Sequence, residues 1–324
     1  MKAIVFTQYG SPDVLRLEEV EKPAPAEGQV LVKVHAAAAN PLDWHLMRAD
    51  PFLVRLGQGF WRPKVTQLGA DLAGVVEAVG MGVTEFKPGE AVFGSIGAGG
   101  FAEYACAAEK YFVHKPANVS FEAAAATPVV GLTAIQGMRD VGHIQQGEKV
   151  LVNGASGGIG TFAVQYAKAL GAEVTGVCST RNLEMVRSIG ADHVLDYTKT
   201  DFSQTGQQYD LIFDTIGNIA ISAARRALRP QGRCVVAGFT TLRHIVALGL
   251  FGNLKSEKAE RKIGMMGTAE VKKPDLLLIQ ELLATGKLVP VIDRTYPLRE
   301  TAQAIAYLEQ GHARGKVLVS VAEA

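Results

Sequence analysis

Between Val152 and Phe162 the chain places glycines at 154, 157, 158 and 160 around Ala155, Ser156 and Ile159, with almost no bulky side chain among them. Residues of this kind do not react; they let main-chain amides close in on an anion. Glycine permits the tight turn and the close approach, the amides that open a following helix point at a phosphate, and Ser156 adds a hydroxyl donor. The flanks give this loop its mechanism. LysValLeuVal ending at Val152 has the composition of a buried parallel strand, and Phe162, Val164, Tyr166, Ala167 and Leu170 supply the apolar side of a helix that Gly171 is placed to stop. GluValThrGlyVal from Glu173 then opens a second strand. Strand, glycine loop, helix and strand in this order predict a dinucleotide site, with the pyrophosphate over Gly154, Ala155, Ser156, Gly157, Gly158, Ile159 and Gly160. The plainer alternative is an ordinary strand-to-helix turn.

The end of the second strand decides which dinucleotide is expected. An acidic residue that receives the ribose diol normally lies about 20 residues after the glycines begin. Here Val177, Cys178, Ser179, Thr180, Arg181 and Asn182 follow instead. The hydroxyls of Ser179 and Thr180 and the guanidinium of Arg181 suit a 2′-phosphate, so NADPH is expected over NADH. Two further strand ends, AspThrIleGlyAsn with Thr215, Ile216 and Gly217, and AlaGlyPheThr with Gly238 and Phe239, fall where ligands of open parallel sheets lie and are assigned to the ribose and nicotinamide.

These residues need a scaffold, and length and composition bound it. At 324 residues the chain is comfortable as two domains, and a formal charge of +1 without a Lys and Arg run argues against a nucleic-acid partner. The start MKAIVFTQYG lacks the long apolar segment of a secretory signal, which makes the cytoplasm the default expectation. Cys106, Cys178 and Cys234 share no CxxC spacing and read as small hydrophobes rather than disulfide or metal groups. The apolar run from His244 to Gly252 is too short to span a bilayer; it reads as a flap beside a substrate pocket or as a partner-facing segment. Up to about residue 120, short strand-like runs alternate with turn sequences, as in an antiparallel domain; beyond it helices and strands alternate, with TyrAspLeuIlePheAsp (209–214) and ArgCysValValAlaGly (233–238) as further buried strands. The predicted class is α/β, with a doubly wound parallel sheet carrying the glycine loop.

A resemblance extends over nearly the whole chain. AsnProLeuAsp at 40–43, LeuGlyAlaAspLeuAlaGlyValValGluAlaValGly at 68–80, GlyGluAlaValPheGly at 89–94, GlyGlyPheAlaGluTyrAla at 99–105, GlyLeuThrAla at 131–134, the glycine loop and GlyHisAlaArgGlyLys at 311–316 together resemble the zinc-free, quinone oxidoreductase-like branch of the medium-chain dehydrogenases/reductases. The resemblance implies a GroES-like catalytic domain from residues 1–122 and 288–324, a Rossmann domain from 123–287, and a homodimer. It also implies cofactor contacts at Tyr197 and Lys316 and pocket roles for Asn40, Asp43 and Thr133. Zinc-dependent relatives carry a catalytic Cys where this chain has Asn40 and a HisGlu pair where it has Ala70 and Asp71, so no zinc is expected.

Without a Lewis acid nothing lowers the pKa of an alcohol, whereas an enone or quinone accepts hydride at an electrophilic carbon and needs only hydrogen-bond donors and a proton. The expected activity is therefore NADPH-dependent reduction of a small-molecule quinone or α,β-unsaturated carbonyl, with Asn40 the first choice of donor and the Thr133 hydroxyl and the main chain around Gly238 and Phe239 as the other candidates. Asn40 and Asp43 also fit plain turn and helix-cap roles, and Phe52, Phe60 and Trp61 fit either a pocket lining or the core. An enoyl-thioester or alcohol/aldehyde reductase, and a non-catalytic NADPH-binding protein, remain the alternatives.

Overall fold

The alternating run Gln29–Ala39 is the spine of a seven-stranded sheet, buried along its length except at Lys33 and, in part, Gln29 and His35. It pairs antiparallel with Asp71–Val79, with Tyr104–Ala108 and with Lys316–Ser320; the last runs parallel to Ile292–Pro297. Ala91–Ser95 and Phe112–His114 extend the sheet beyond Asp71–Val79. A computed structural model describes residues 1–238, 246, 248, 249, 252 and 260–321. Phe239 and most of the apolar run 244–252 lie outside them; within that run Leu248 is buried with Val236 and Ile263.

Two compact units result, Met1–Val129 with Val271–Gly286 and Pro290–Ala324, and Val130–Glu270 with Lys287–Val289. The helix Lys273–Ala284, expected with the second unit, belongs to the first. Lys273 Nζ donates to Phe112 O at 2.7 Å and Gln280 Nε2 to His114 O at 2.8 Å, which ties the helix along the strand Phe112–His114. Lys273 is also paired with Glu85 at 2.6 Å.

The second unit holds a six-stranded, wholly parallel sheet in the order His193–Asp196, Glu173–Cys178, Lys149–Asn153, Tyr209–Asp214, Leu228–Val236, Lys262–Met265. Its central strands are continuous apolar runs because helices cover both faces. The helix Gly158–Ala169 is buried from Gly160 to Ala167, and Leu170, assigned to its apolar side, is instead its exposed C-cap. The sequence named no strand at 193–196 or 262–265. Each is only four residues long and stands at an edge of the sheet, where little burial imprints an apolar pattern.

Candidate functional site

The glycine loop joins the strand Lys149–Asn153 to the helix Gly158–Ala169. Gly154 and Ala155 both donate to Val177 O, at 3.2 and 3.0 Å, which draws the loop against the end of the neighbouring strand. Gly154 takes φ +77°, and a methyl group there would meet Thr215 Oγ1 at 2.5 Å; one at Gly160 would meet Gly154 O at 2.0 Å. Both glycines are therefore required by the fold itself. Gly157 is different: a methyl group would meet only Gly154 O, at 3.5 Å, so the space above the helix start is open. The amides of Gly158, Ile159 and Gly160 open the helix and lack an intrahelical acceptor, the arrangement that receives an anion.

Four more of the expected residues, Thr215, Ile216, Gly217 and Gly238, gather at the carboxyl ends of adjacent strands. Asp214, fully buried, accepts from Ile216 N–H at 3.1 Å, Gly217 N–H at 2.9 Å, Ile219 N–H at 3.3 Å and Asn153 Nδ2 at 2.8 Å, and so shapes the turn after its strand. Thr215 Oγ1 donates to Asn153 O at 2.8 Å, and Gly238 lies so near that a methyl group would meet Thr215 O at 2.2 Å. Asn153 and Asp214 are the parts that sequence reasoning missed here, although both are polar residues closing apolar strands.

At the end of Glu173–Cys178, Ser179 is half-buried while Thr180 and Arg181 are exposed, and Tyr197, also exposed, donates its N–H to Cys178 O at 3.1 Å. The Thr180 hydroxyl is donated to Asp196 Oδ2 at 2.5 Å, and Asp196 Oδ1 takes the N–H and hydroxyl of Thr198 at 3.0 and 2.7 Å. Asn182 is buried, and its Nδ2 donates to Ser156 Oγ at 3.0 Å and Ser179 Oγ at 3.3 Å, while its Oδ1 is enclosed without a partner. Oxygens that accept from Asn182 leave the two serine protons pointing elsewhere.

Three of the remaining predicted residues, Asn40, Asp43 and Lys316, meet in the first unit. Register explains how: Val317 stands opposite Ala39, which sets Lys316 against Asn40, and Ala38 stands opposite Asp71, so Asp71 lies two positions from Asn40 on the same face of the sheet end. Lys316 Nζ donates to Asn40 Oδ1 at 2.6 Å and Ala39 O at 3.2 Å, and lies 3.9 Å from Asp71 Oδ2. Asn40 Nδ2 donates to Asp71 Oδ2 at 3.0 Å and Ala38 O at 3.2 Å. Asp43, at the third position of the helix Pro41–Arg48, accepts from Asn40 N–H at 2.7 Å and Gly69 N–H at 2.8 Å. Asp43 thereby supplies the carboxylate half of a capping box, and its own N–H donates to Asn40 O at 3.0 Å.

All four residues are buried, none more than 4 % exposed. Burial pushes the Asp43 carboxyl up to about 7 against its two amide donors, and the Asp71 carboxyl up to about 6 against Lys316 and Asn40; burial also lowers the Lys316 ammonium. Two expectations change in consequence. The amide hydrogens of Asn40 both have internal acceptors, and the ammonium of Lys316 is spent on Asn40 and Ala39 rather than presented to a phosphate. Thr133 is half-buried on the helix Pro128–Ile135, and from Val130 onward that helix belongs to the second unit.

Zinc does not fit this donor set. Asn40 Oδ1 already holds an ammonium, Ala70 offers a methyl group, and both Asp71 oxygens accept hydrogen bonds from Val129 N–H and Asn40. Among the described residues no three His, Cys, Asp or Glu side chains are grouped to hold a metal ion, and Cys106, Cys178 and Cys234 are free thiols.

Residues 26–117 match the alcohol dehydrogenase GroES-like domain, and residues 189–319 match the zinc-binding dehydrogenase family. The chain is 35 % identical over 341 residues to a chloroplast envelope quinone oxidoreductase homolog of Arabidopsis thaliana, covering 98 % of each. It is 33 % identical over 337 residues to an NADPH-dependent alkenal/one oxidoreductase of the same plant, covering 98 % of this chain and 79 % of the other. Among solved structures, the quinone oxidoreductase of Escherichia coli complexed with NADPH superposes with a TM-score of 0.83 at 25 % identity, over 99 % of this chain and 100 % of that one. The parallel sheet with its glycine loop, the GroES-like sheet and these similarities place the chain in the medium-chain dehydrogenase/reductase family, as an oxidoreductase of its quinone oxidoreductase-like branch.

Proposed function

We propose that the protein reduces quinones or α,β-unsaturated carbonyls with NADPH and without a metal ion. The observation that carries this reading is the Lys316 ammonium bonded to Asn40, a side-chain cation built in among the groups that face zinc in metal-dependent relatives. The activities for which the two plant relatives are named and the NADPH bound in the bacterial structure support it.

A bound reduced nicotinamide supplies the hydride. The chain's own part is to hold and orient. The amides from Gly158 to Gly160 and the Ser156 hydroxyl receive the pyrophosphate. Ser179 and Arg181 receive the 2′-phosphate, with Asn182 keeping both serine protons available; Thr180 is already committed to Asp196. Thr215, Gly217 and Gly238 flank the ribose and nicotinamide, with Tyr197 beside the adenosine end. Thr133 is the proposed donor to the acceptor's oxygen. Asn40 and Asp43 act as positioning residues: Asn40 holds Lys316 and Asp71 in register, and Asp43 fixes the start of the helix Pro41–Arg48.

The test is NADPH oxidation against a panel of quinones, enones, enoyl thioesters and aldehydes, with NADH in parallel. Turnover with quinones or enones and a preference for NADPH are expected. Tight NADPH binding without oxidation by any acceptor would contradict the proposal.

A further inference from the structure

The surface between Phe52 and Trp61 is built unlike the rest of the first unit. Phe52, Leu53, Leu56 and Trp61 are each more than half exposed, Trp61 at 83 %, and Phe60 is exposed at 46 %. None of them belongs to the core. The rings form a ladder, Phe60 meeting Phe52 edge-on at 5.7 Å between centroids and Trp61 at 4.9 Å. Arg55, on the short helix Val54–Gln58, backs that ladder: its guanidinium lies 5.2 Å from the Phe52 ring and 4.7 Å from the Tyr9 ring, and Nη1 donates to Phe60 O at 3.3 Å. Elsewhere among the described residues exposed large apolar side chains stand singly in sequence, apart from Val289 and Ile292.

A patch of this density calls for an occupant, and charge selects which. Residues 51–64 contain Arg55, Arg62 and Lys64 and no acid, and Arg62 and Lys64 are exposed. A second copy on the same patch would set these cations against their own kind. A small ring compound would cover a ring or two and leave Leu53, Leu56 and the cations unanswered. An anionic lipid surface answers all of them: aromatic rings sit at headgroup depth, leucines enter the acyl boundary, and Arg and Lys meet the phosphates.

We propose that residues 52–64 dock the protein onto an anionic bilayer surface. This goes beyond the catalytic reading and does not depend on it.

Co-sedimentation with vesicles of phosphatidylcholine, alone or mixed with phosphatidylserine, tests it on the full chain. Trp61 and the half-buried Trp44 are the two tryptophans, so emission reports the docking directly. Expected are binding to the phosphatidylserine vesicles, a blue shift, and loss of both at high salt. Trp61→Ser should weaken vesicle affinity on the order of tenfold, and reversal of Arg62 and Lys64 to Glu by a similar factor. Trp61→Phe should keep the binding and lose most of the shift. Thermal melts confirm that each variant folds, and the charge reversal at exposed positions carries the test if Trp61→Ser does not. Absence of binding to the anionic vesicles, or binding indifferent to every substitution, overturns the proposal. So does a raised KM for a water-soluble quinone in Trp61→Ser with no vesicle binding, which reassigns the patch to substrate capture.

Discussion

The glycine loop at 154–160 is made of main chain, and the cluster around Asn40 is made of side chains. The first receives its ligand from outside, through amides at a helix start and an open space above Gly157. The second is closed: Asn40, Asp43, Asp71 and Lys316 are satisfied by one another and by neighbouring main chain, in a cluster that brings together residues 276 positions apart. The contrast separates two kinds of polar site. One is unsatisfied so that it can bind, and the other is satisfied so that it can hold a shape.

Substitutions should break the two regions differently. The largest effect is expected at Lys316. Lys316→Met leaves two buried carboxylates without their cation and should cost about 3–5 kcal/mol in urea unfolding, with part of the loss recovered when Asp71→Asn is added. A loss below about 1 kcal/mol, the range of a surface pair, would mean that the cluster is not the closed unit described.

In the loop, Gly160→Ala should lower NADPH affinity by on the order of 100-fold, since its methyl group would displace the turn at Gly154. Gly157→Ala sharpens the contrast. It should leave the melting temperature unchanged and still weaken NADPH by about tenfold, because its methyl group enters only the ligand's space. Unchanged binding in calorimetry would remove the pyrophosphate from that position. Arg181→Ala is expected to raise the KM for NADPH by about tenfold and to leave that for NADH as it was.

The cluster's dependence on pH probes the same closed burial. Burial raises Asp43 from 3.8 to about 7 and Asp71 from 3.8 to about 6, so the folded state binds these protons more tightly than the unfolded chain. Their contribution is fully present below about pH 4 and is lost as pH rises through 6 and 7. Stability measured from pH 4 to pH 8 should therefore carry a falling component, and Asp43→Asn, though less stable throughout, should show a shallower fall. An equal slope in that variant would contradict the assignment.

The two regions also differ in how far the sequence betrays them. The loop was legible because strand, glycines and helix are consecutive, and each declares itself through local apolar spacing. Asn40 and Asp43 were legible as cap residues and, through the family resemblance, as site residues. What they bond to was not, because Lys316 reaches Asn40 only through the pairing of Lys316–Ser320 with Gln29–Ala39. Asp196 and Asn182 escaped for the same reason. Their roles depend on how the ends of neighbouring parallel strands lie together, and no spacing along the chain records that.

The most direct test of the catalytic account is the rate of quinone reduction by NADPH deuterated at the transferable position, using enzyme dialysed exhaustively against chelator and then supplied with zinc. The account predicts full activity before zinc is added, no gain after it, and an isotope effect on turnover when hydride transfer limits the rate. Activity that appears only with zinc, or only towards simple aldehydes and alcohols, would contradict it.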